Sequence, residues 1–230
     1  MNEFAFPPPA VPTVAVEGGG RFPVHRIYCV GLNYADHIRE FGRDPKASPP
    51  VFFMKPADAV VANGAPIPYP PRTADFHYEI ELVVAIGRGG RRITPADALG
   101  HVFGYAAGND LTRRDLQRAA KDRGEPWDIA KGFDHSAPVA AIRAASRGHL
   151  SRGRIWLTVN GERRQESDLE QMIVGVPQLI AELSTLYTLE AGDLIFTGTP
   201  AGVGPLKPGD RLAGGIEGLE VLTNTILPPA

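Results

Sequence analysis

Cysteine is all but missing from this 230-residue chain, which carries Cys29 alone. A single thiol excludes an intramolecular disulfide framework and any zinc site built on several thiolates. No stretch approaches the roughly 18–20 apolar residues that a membrane span requires. Residues 1–20 have neither a basic start nor a continuous apolar core, so no secretory leader is read there and a cytoplasmic location is expected. Excess charge of either sign is lacking as well. A formal net charge of −2 gives no electrostatic footing for nucleic acid or a membrane surface. There is no P-loop, no G-x-G-x-x-G after a strand, no G-x-S-x-G and no H-E-x-x-H. Nucleotide binding, serine hydrolysis and zinc proteolysis therefore have no support in the sequence.

What is present is an ordinary globular balance, 43% hydrophobic and 22% charged residues, which excludes a disordered chain. With 26 glycines and 22 prolines, many turns and short elements are expected rather than a helical bundle. Residues 1–22, proline-rich and closed by Gly18, Gly19 and Gly20, read as an N-terminal arm, and 23–230 as a single catalytic domain. Strands are expected at 26–30, 51–54, 58–61, 77–86, 102–109, 193–196 and 211–227. Asn160-Gly161, between 155–159 and 163–165, is a two-residue hairpin signal. Short helices are expected at 34–41 capped by Asn33, at 94–99 after Thr94, from a Thr112 cap to 122, and at 176–187. This strand-dominated pattern predicts a β-rich α+β fold and not a doubly wound sheet.

On a strand, alternate side chains share a face, so His77, Glu79 and Glu81 point one way. The apolar run 83–86 that follows marks the strand as central. Two glutamates on a buried strand repel each other and lose hydration, and a divalent cation would resolve both costs. Oxygen ligands favour a hard ion over zinc. The same spacing also occurs on exposed edge strands and opposite arginines. Asp110, at the end of the 102–109 strand, either caps a helix or completes a three-carboxylate site. His37 and Glu40, three apart on one helix face, can touch, an arrangement that orients an imidazole as a general base for water. An exposed pair of this kind is otherwise a solvated face. Arg114 and Gln117 share a face and could hold a carboxylate, or belong to a salt-bridged surface helix. Lys131 is read in a turn, either as an active cation or as a surface charge. The glycine-rich stretch 197–204 offers backbone amides to an anion, or simply turns.

Taken in order, these motifs resemble the fumarylacetoacetate hydrolase family: CVGLNYADH (29–37), FMKP (53–56), HYEIEL (77–82), GY with ND (104–110), TRRDLQ (112–117), AKGFD (130–134), VNGE (159–162) and TGTP (197–200). The resemblance spans about 22–227. It implies a mixed β-sandwich roll with short peripheral helices, a homodimer, and Mg²⁺ or Mn²⁺ held by Glu79, Glu81 and Asp110. It further implies His37 and Glu40 as a lid dyad activating water, with Lys131, Arg114, Gln117 and Thr199 around the substrate. The substrate class is a small 2,4-diketo acid, and segment 53–86 is most like members that split fumarylpyruvate to fumarate and pyruvate in the gentisate route. Leu32 stands where many members have arginine, so no contact through that position carries over. Arg43 and Arg72 are candidates for a distal carboxylate. Two alternatives stay open: decarboxylation of oxaloacetate or isomerisation and decarboxylation of a dioic acid at the same site, and a non-catalytic dicarboxylate-binding protein.

Overall fold

The computed structural model describes residues 4–40 and 50–229. Its larger sheet runs in the order Val51–Lys55, Ile27–Gly31, Leu194–Phe196, Ile80–Ile86, Val102–Asn109, Ala137–Val139 and Val60–Ala62, with Arg143–Ala144 also paired to Val102–Asn109. It is mixed: Ile27–Gly31 is parallel to Leu194–Phe196, which is antiparallel to Ile80–Ile86. A second sheet orders Glu162–Asp168, Arg154–Val159, Arg211–Ile216, Leu222–Leu227 and Ile67–Pro68. The β-rich α+β architecture expected from the sequence is the one observed. No described helix is long and apolar enough to cross a membrane.

Ile80–Ile86 sits at the centre because it is apolar on both faces. Ile80, Leu82, Val84 and Ile86 pack with Ile155, Leu157 and Ile216 of the second sheet. Val83 and Ala85 face the other way, toward Cys29, Ala106 and Phe196. The expected arm contributes to this second core: Thr13–Ala15 and Arg21–Pro23 form an antiparallel hairpin that buries Val14 and Phe22. Gly108 lies opposite Glu81 on this tight face. A Cβ there would meet Val83 Cγ2 and approach the Phe196 ring to 2.9 Å. Both neighbours are fully buried, and valine is stiff at χ1. Gly108→Ala is therefore expected to destabilise the fold by about 1–3 kcal/mol through overpacking. A shifted urea midpoint at unchanged slope checks this; an unshifted midpoint contradicts it.

Several local expectations are corrected. The strand foreseen over 77–86 breaks at Glu79 into Phe76–Tyr78 and Ile80–Ile86, and the first piece joins Thr112–Arg113 and Gly204–Pro205 in a small separate sheet. The break follows from Asn109, whose Oδ1 accepts the Glu79 N–H at 2.8 Å in place of a ladder carbonyl. Residues 57–59 wind as a 3-10 turn before Val60–Ala62. The turn of helix foreseen at 94–99 is 3-10 and begins later, Ala98–His101. The 211–227 run is two strands, Arg211–Ile216 and Leu222–Leu227, joined as a hairpin. Helix α1 spans Ala35–Glu40; its expected last residue Phe41 and the stop Gly42, like Arg43, lie outside the described residues. Asn33 does not cap it. Its side chain bonds Val174 and the Thr197 carbonyl instead. Helix α2 spans Arg114–Arg123 and ends at Gly124, whose φ of 68° only glycine adopts readily. Thr112 lies before it in a strand, with its hydroxyl donating to the Asp110 carbonyl. Helix α3, Asp128–Lys131, holds the lysine expected in a turn. Helix α4 is Val176–Leu186, and Asn160 and Gly161 turn the hairpin with φ of 54° and 85°.

Candidate active site

The hairpin register assembles the site. Ile80 pairs with Asn109, so Glu79 and Asp110 face each other one step beyond, and the Asp110 N–H donates to the Glu79 carbonyl at 2.8 Å. Glu81 follows on the same central strand. One carboxylate oxygen from each of Glu79, Glu81 and Asp110 lies within 4.8 Å of the others, and all three residues are buried. Asp110 therefore does not cap a helix; α2 starts four residues later.

Cations offset these acids. Lys131, 2% exposed, donates from Nζ to Glu79 Oε2 at 2.8 Å and Asp110 Oδ2 at 2.7 Å. Arg114 bonds Glu79 Oε1 through Nη2 and Gln117 Oε1 through Nη1, the latter at 2.6 Å. Lys55, buried at the end of Val51–Lys55, donates to the carbonyls of Leu111 and Lys131. Its Nζ is also 2.9 Å from Asp110 Oδ1, but off hydrogen-bond geometry, so that buried oxygen has no hydrogen bond. Lysine pairing thus offsets the charge without satisfying the oxygen.

The ionisation of the acids divides accordingly. Burial raises the Glu79 carboxyl, but Lys131 and Arg114 outweigh it and hold the group well below the ordinary carboxylate value. Burial pushes Glu81 well above that value, reinforced by the charges of Asp110 and Glu79. Glu81 Oε2 accepts the Gly198 N–H at 2.7 Å, and among the described residues no lysine pairs with it. A hard donor set, an unsatisfied Asp110 oxygen and mutual repulsion at Glu81 together fit a divalent cation. Glu79, Glu81 and Asp110 are the residues that could hold it.

His37, 6% exposed, lines one narrow throat with Leu32, Phe53, Glu79, Arg114, Gln117, Lys121, Trp127 and Lys131. Its Nδ1 is 3.2 Å from Glu40 Oε2. Burial raises Glu40, but the hydrogen bonds to His37 and from the Gly202 amide outweigh it and keep the carboxyl below its ordinary value. Glu40 therefore stays ionised at neutral pH and holds the imidazole by Nδ1. The throat widens into a cavity of about 740 Å³ bordered by Glu40, His77, Arg114, Gln117, Arg118, Lys121, Trp127 and Val203.

The structure thus brings Glu79, Glu81, Asp110, Lys131, Arg114, Gln117, His37 and Glu40 to one place. Thr199 sits behind the cluster: its hydroxyl donates to the Ile80 carbonyl and accepts from Gln165 Nε2, both at 2.8 Å, and it borders neither the throat nor the cavity. Arg72, at a positive φ of 64°, borders neither of them. Two residues went unassigned in the sequence. Lys55 had a signal, a lysine closing an apolar strand. Lys121 had another, its i+7 spacing from Arg114.

Known proteins resemble the chain in both sequence and fold. The family model described as fumarylacetoacetate (FAA) hydrolase C-terminal matches residues 26–227. The human mitochondrial oxaloacetate tautomerase is 44% identical over 204 residues, covering 88% of this chain and 92% of that protein. A fumarylpyruvate hydrolase from a Ralstonia species is 44% identical over 177 residues, covering 77% of this chain and 92% of that one. The crystal structure of fumarylpyruvate hydrolase from Pseudomonas aeruginosa, in complex with Mn²⁺ and pyruvate, superposes with a TM-score of 0.97 at 47% identity, covering 98% of this chain and 100% of that one.

Proposed function

The chain belongs to the fumarylacetoacetate hydrolase family, and from that membership we propose that it is a metal-dependent hydrolase of 2,4-diketo acids, with fumarylpyruvate as its substrate. The observation that carries the reading is one throat bordered both by Glu79 of the three-carboxylate cluster and by His37 of the His37–Glu40 pair. A cytoplasmic homodimer serving the gentisate route is part of the same proposal, carried by the resemblance.

A divalent cation held by Glu79, Glu81 and Asp110 supplies Lewis acidity to the keto-acid head of the substrate. The protein's own groups do the rest. His37, oriented by Glu40, takes a proton from water as the water oxygen attacks the C4 carbonyl. The resulting adduct collapses by breaking the C3–C4 bond, and the electron pair remains on the pyruvyl fragment as an enolate. The Lys131 ammonium stands beside that developing charge. The proton taken by His37 returns to C3, giving pyruvate and the carboxylic acid of the acyl part. Arg114 and Gln117 wall the passage to the cluster. Lys131 and Arg114 also keep Glu79 charged, the form a ligand requires.

A second reading has direct support: the human relative is named for oxaloacetate tautomerisation. Oxaloacetate needs the same enolate but no attacking water. The test is an assay of chelator-treated protein on fumarylpyruvate, acetylpyruvate and oxaloacetate, with Mg²⁺ or Mn²⁺ added back. Metal-dependent loss of diketo absorbance with formation of pyruvate is expected. Turnover of oxaloacetate alone would move the assignment to the second reading, and no turnover would leave a binding protein.

A further inference from the structure

The loop that joins the two central strands, Ile80–Ile86 and Val102–Asn109, carries Arg88, Arg91 and Arg92 close together in sequence. Its backbone is held firmly. Gly90 exchanges two hydrogen bonds with Leu189, both at 2.9 Å. In α4, the Ser184 carbonyl accepts the Arg92 N–H at 2.9 Å, and the Ser184 hydroxyl accepts the Ile93 N–H at 2.8 Å. His101 Nδ1 donates to the Arg88 carbonyl at 2.8 Å. Arg92 takes a φ of 52°, a left-handed conformation that long side chains rarely adopt. The backbone is thus fixed, while all three arginines remain exposed.

Arg88, Arg91, Arg92 and His101 border one cavity of about 580 Å³. Arginines elsewhere are matched by acids: Arg26 by Asp193, Arg114 by Glu79, Arg147 by Glu17 and Arg154 by Glu166. Among the described residues, no hydrogen bond or ion pair engages the guanidinium of Arg88, Arg91 or Arg92. Asp97 is the one acid on the cavity border, and it accepts the Thr94 hydroxyl at 2.7 Å. Three arginines against one aspartate leave a formal charge of +2 there, in a chain whose net charge is −2. Like charges gathered around a concave surface raise the local potential and draw in an anion. Guanidinium forks hold phosphate or carboxylate oxygens through paired hydrogen bonds. No Phe, Tyr or Trp borders the cavity, so it offers a nucleobase no broad stacking face.

We propose that the 88–92 loop and His101 form a second binding site, apart from the catalytic cavity, for a small multivalent oxyanion bearing phosphoryl groups or several carboxylates. Ile86, where the loop begins, lies five residues along its strand from Glu81, about 17 Å at the usual strand rise. An anion held here does not reach the acids at the other end of that strand. The site therefore stands independently of the reaction those acids serve.

The test is calorimetric titration of the full chain, stripped of metal and dialysed free of chelator, with pyrophosphate and with citrate at about 0.15 M salt. Saturable binding is expected, of pyrophosphate if the forks read phosphoryl oxygens and of citrate if they read carboxylates. The double variant Arg88→Gln/Arg91→Gln should weaken it by about 10- to 100-fold, as for loss of charged hydrogen bonds. Arg88→Lys/Arg91→Lys, which keeps the charge without the planar fork, should lose less. Arg118→Gln, at the rim of the catalytic cavity, should bind like the wild type. These side chains are exposed, so the variants are expected to melt with the wild type. Saturable binding of neither anion overturns the proposal. So does an affinity within about twofold of wild type in the double glutamine variant, or a loss that falls on Arg118→Gln instead.

Discussion

His37→Ala is expected to lower kcat for diketo-acid hydrolysis by about 10²- to 10⁴-fold, the usual worth of a positioned general base. The effect follows from geometry. His37 borders the throat beside Glu79 and Lys131, and Glu40 fixes its Nδ1 side at 3.2 Å. Its alanine variant is expected to keep the carboxylate cluster, whose side chains are held by Lys131, Arg114 and the Gly198 amide. Oxaloacetate decarboxylation, which involves no attacking water, should fall far less in the same variant. Parallel assays on the two substrates read the difference. Equal losses would show that His37 does not act on water and would favour the oxaloacetate reading.

Lys131→Met should have two separable consequences. In chelator, it removes the ammonium that bridges Glu79 Oε2 and Asp110 Oδ2 and leaves two buried carboxylates short of a counter-charge. Breaking a buried pair in this way costs about 3–5 kcal/mol. The loss appears as a lower melting temperature. Added Mn²⁺ should stabilise the variant more than the wild type, because the ion replaces missing positive charge as well as binding the folded state. In the metal-loaded enzyme, kcat should drop by about 10²- to 10³-fold, the cost of removing one donor from a developing anion. An unchanged melting temperature in chelator, together with a wild-type kcat, would remove Lys131 from both roles.

The carboxylates were legible in the sequence for a simple reason. Period-two alternation placed Glu79 and Glu81 together, and an apolar run ending in Asp110 marked a second strand end. Antiparallel pairing of neighbouring strands then brings those positions face to face. The break at Glu79 was not legible, because it depends on the Asn109 side chain replacing a ladder partner from another strand. Lys131 reads as a turn residue in sequence, and its burial comes from long-range packing of α3 on the strand that ends in Lys55. Lys55 was quoted within a motif but given no task, since its partners Asp110, Leu111 and Lys131 lie far along the chain. Thr199 shows the opposite case: a residue placed near the substrate by resemblance has its hydroxyl spent on Ile80 and Gln165. Local spacing exposes what one element carries; it is silent on which remote backbone atoms a side chain will meet.

The backbone between Phe196 and Gly204 has one more implication. Gly198 fastens Glu81 through its amide, and Gly202 fastens Glu40 in the same way. Four peptide links thus moor both an acid facing the ion and the acid steering the imidazole. Neither anchor tolerates a larger residue: Cβ atoms there would strike Asn33 at one end and the Arg164 carbonyl at the other. Tension on this ribbon at either end would be felt by both halves of the machinery at once.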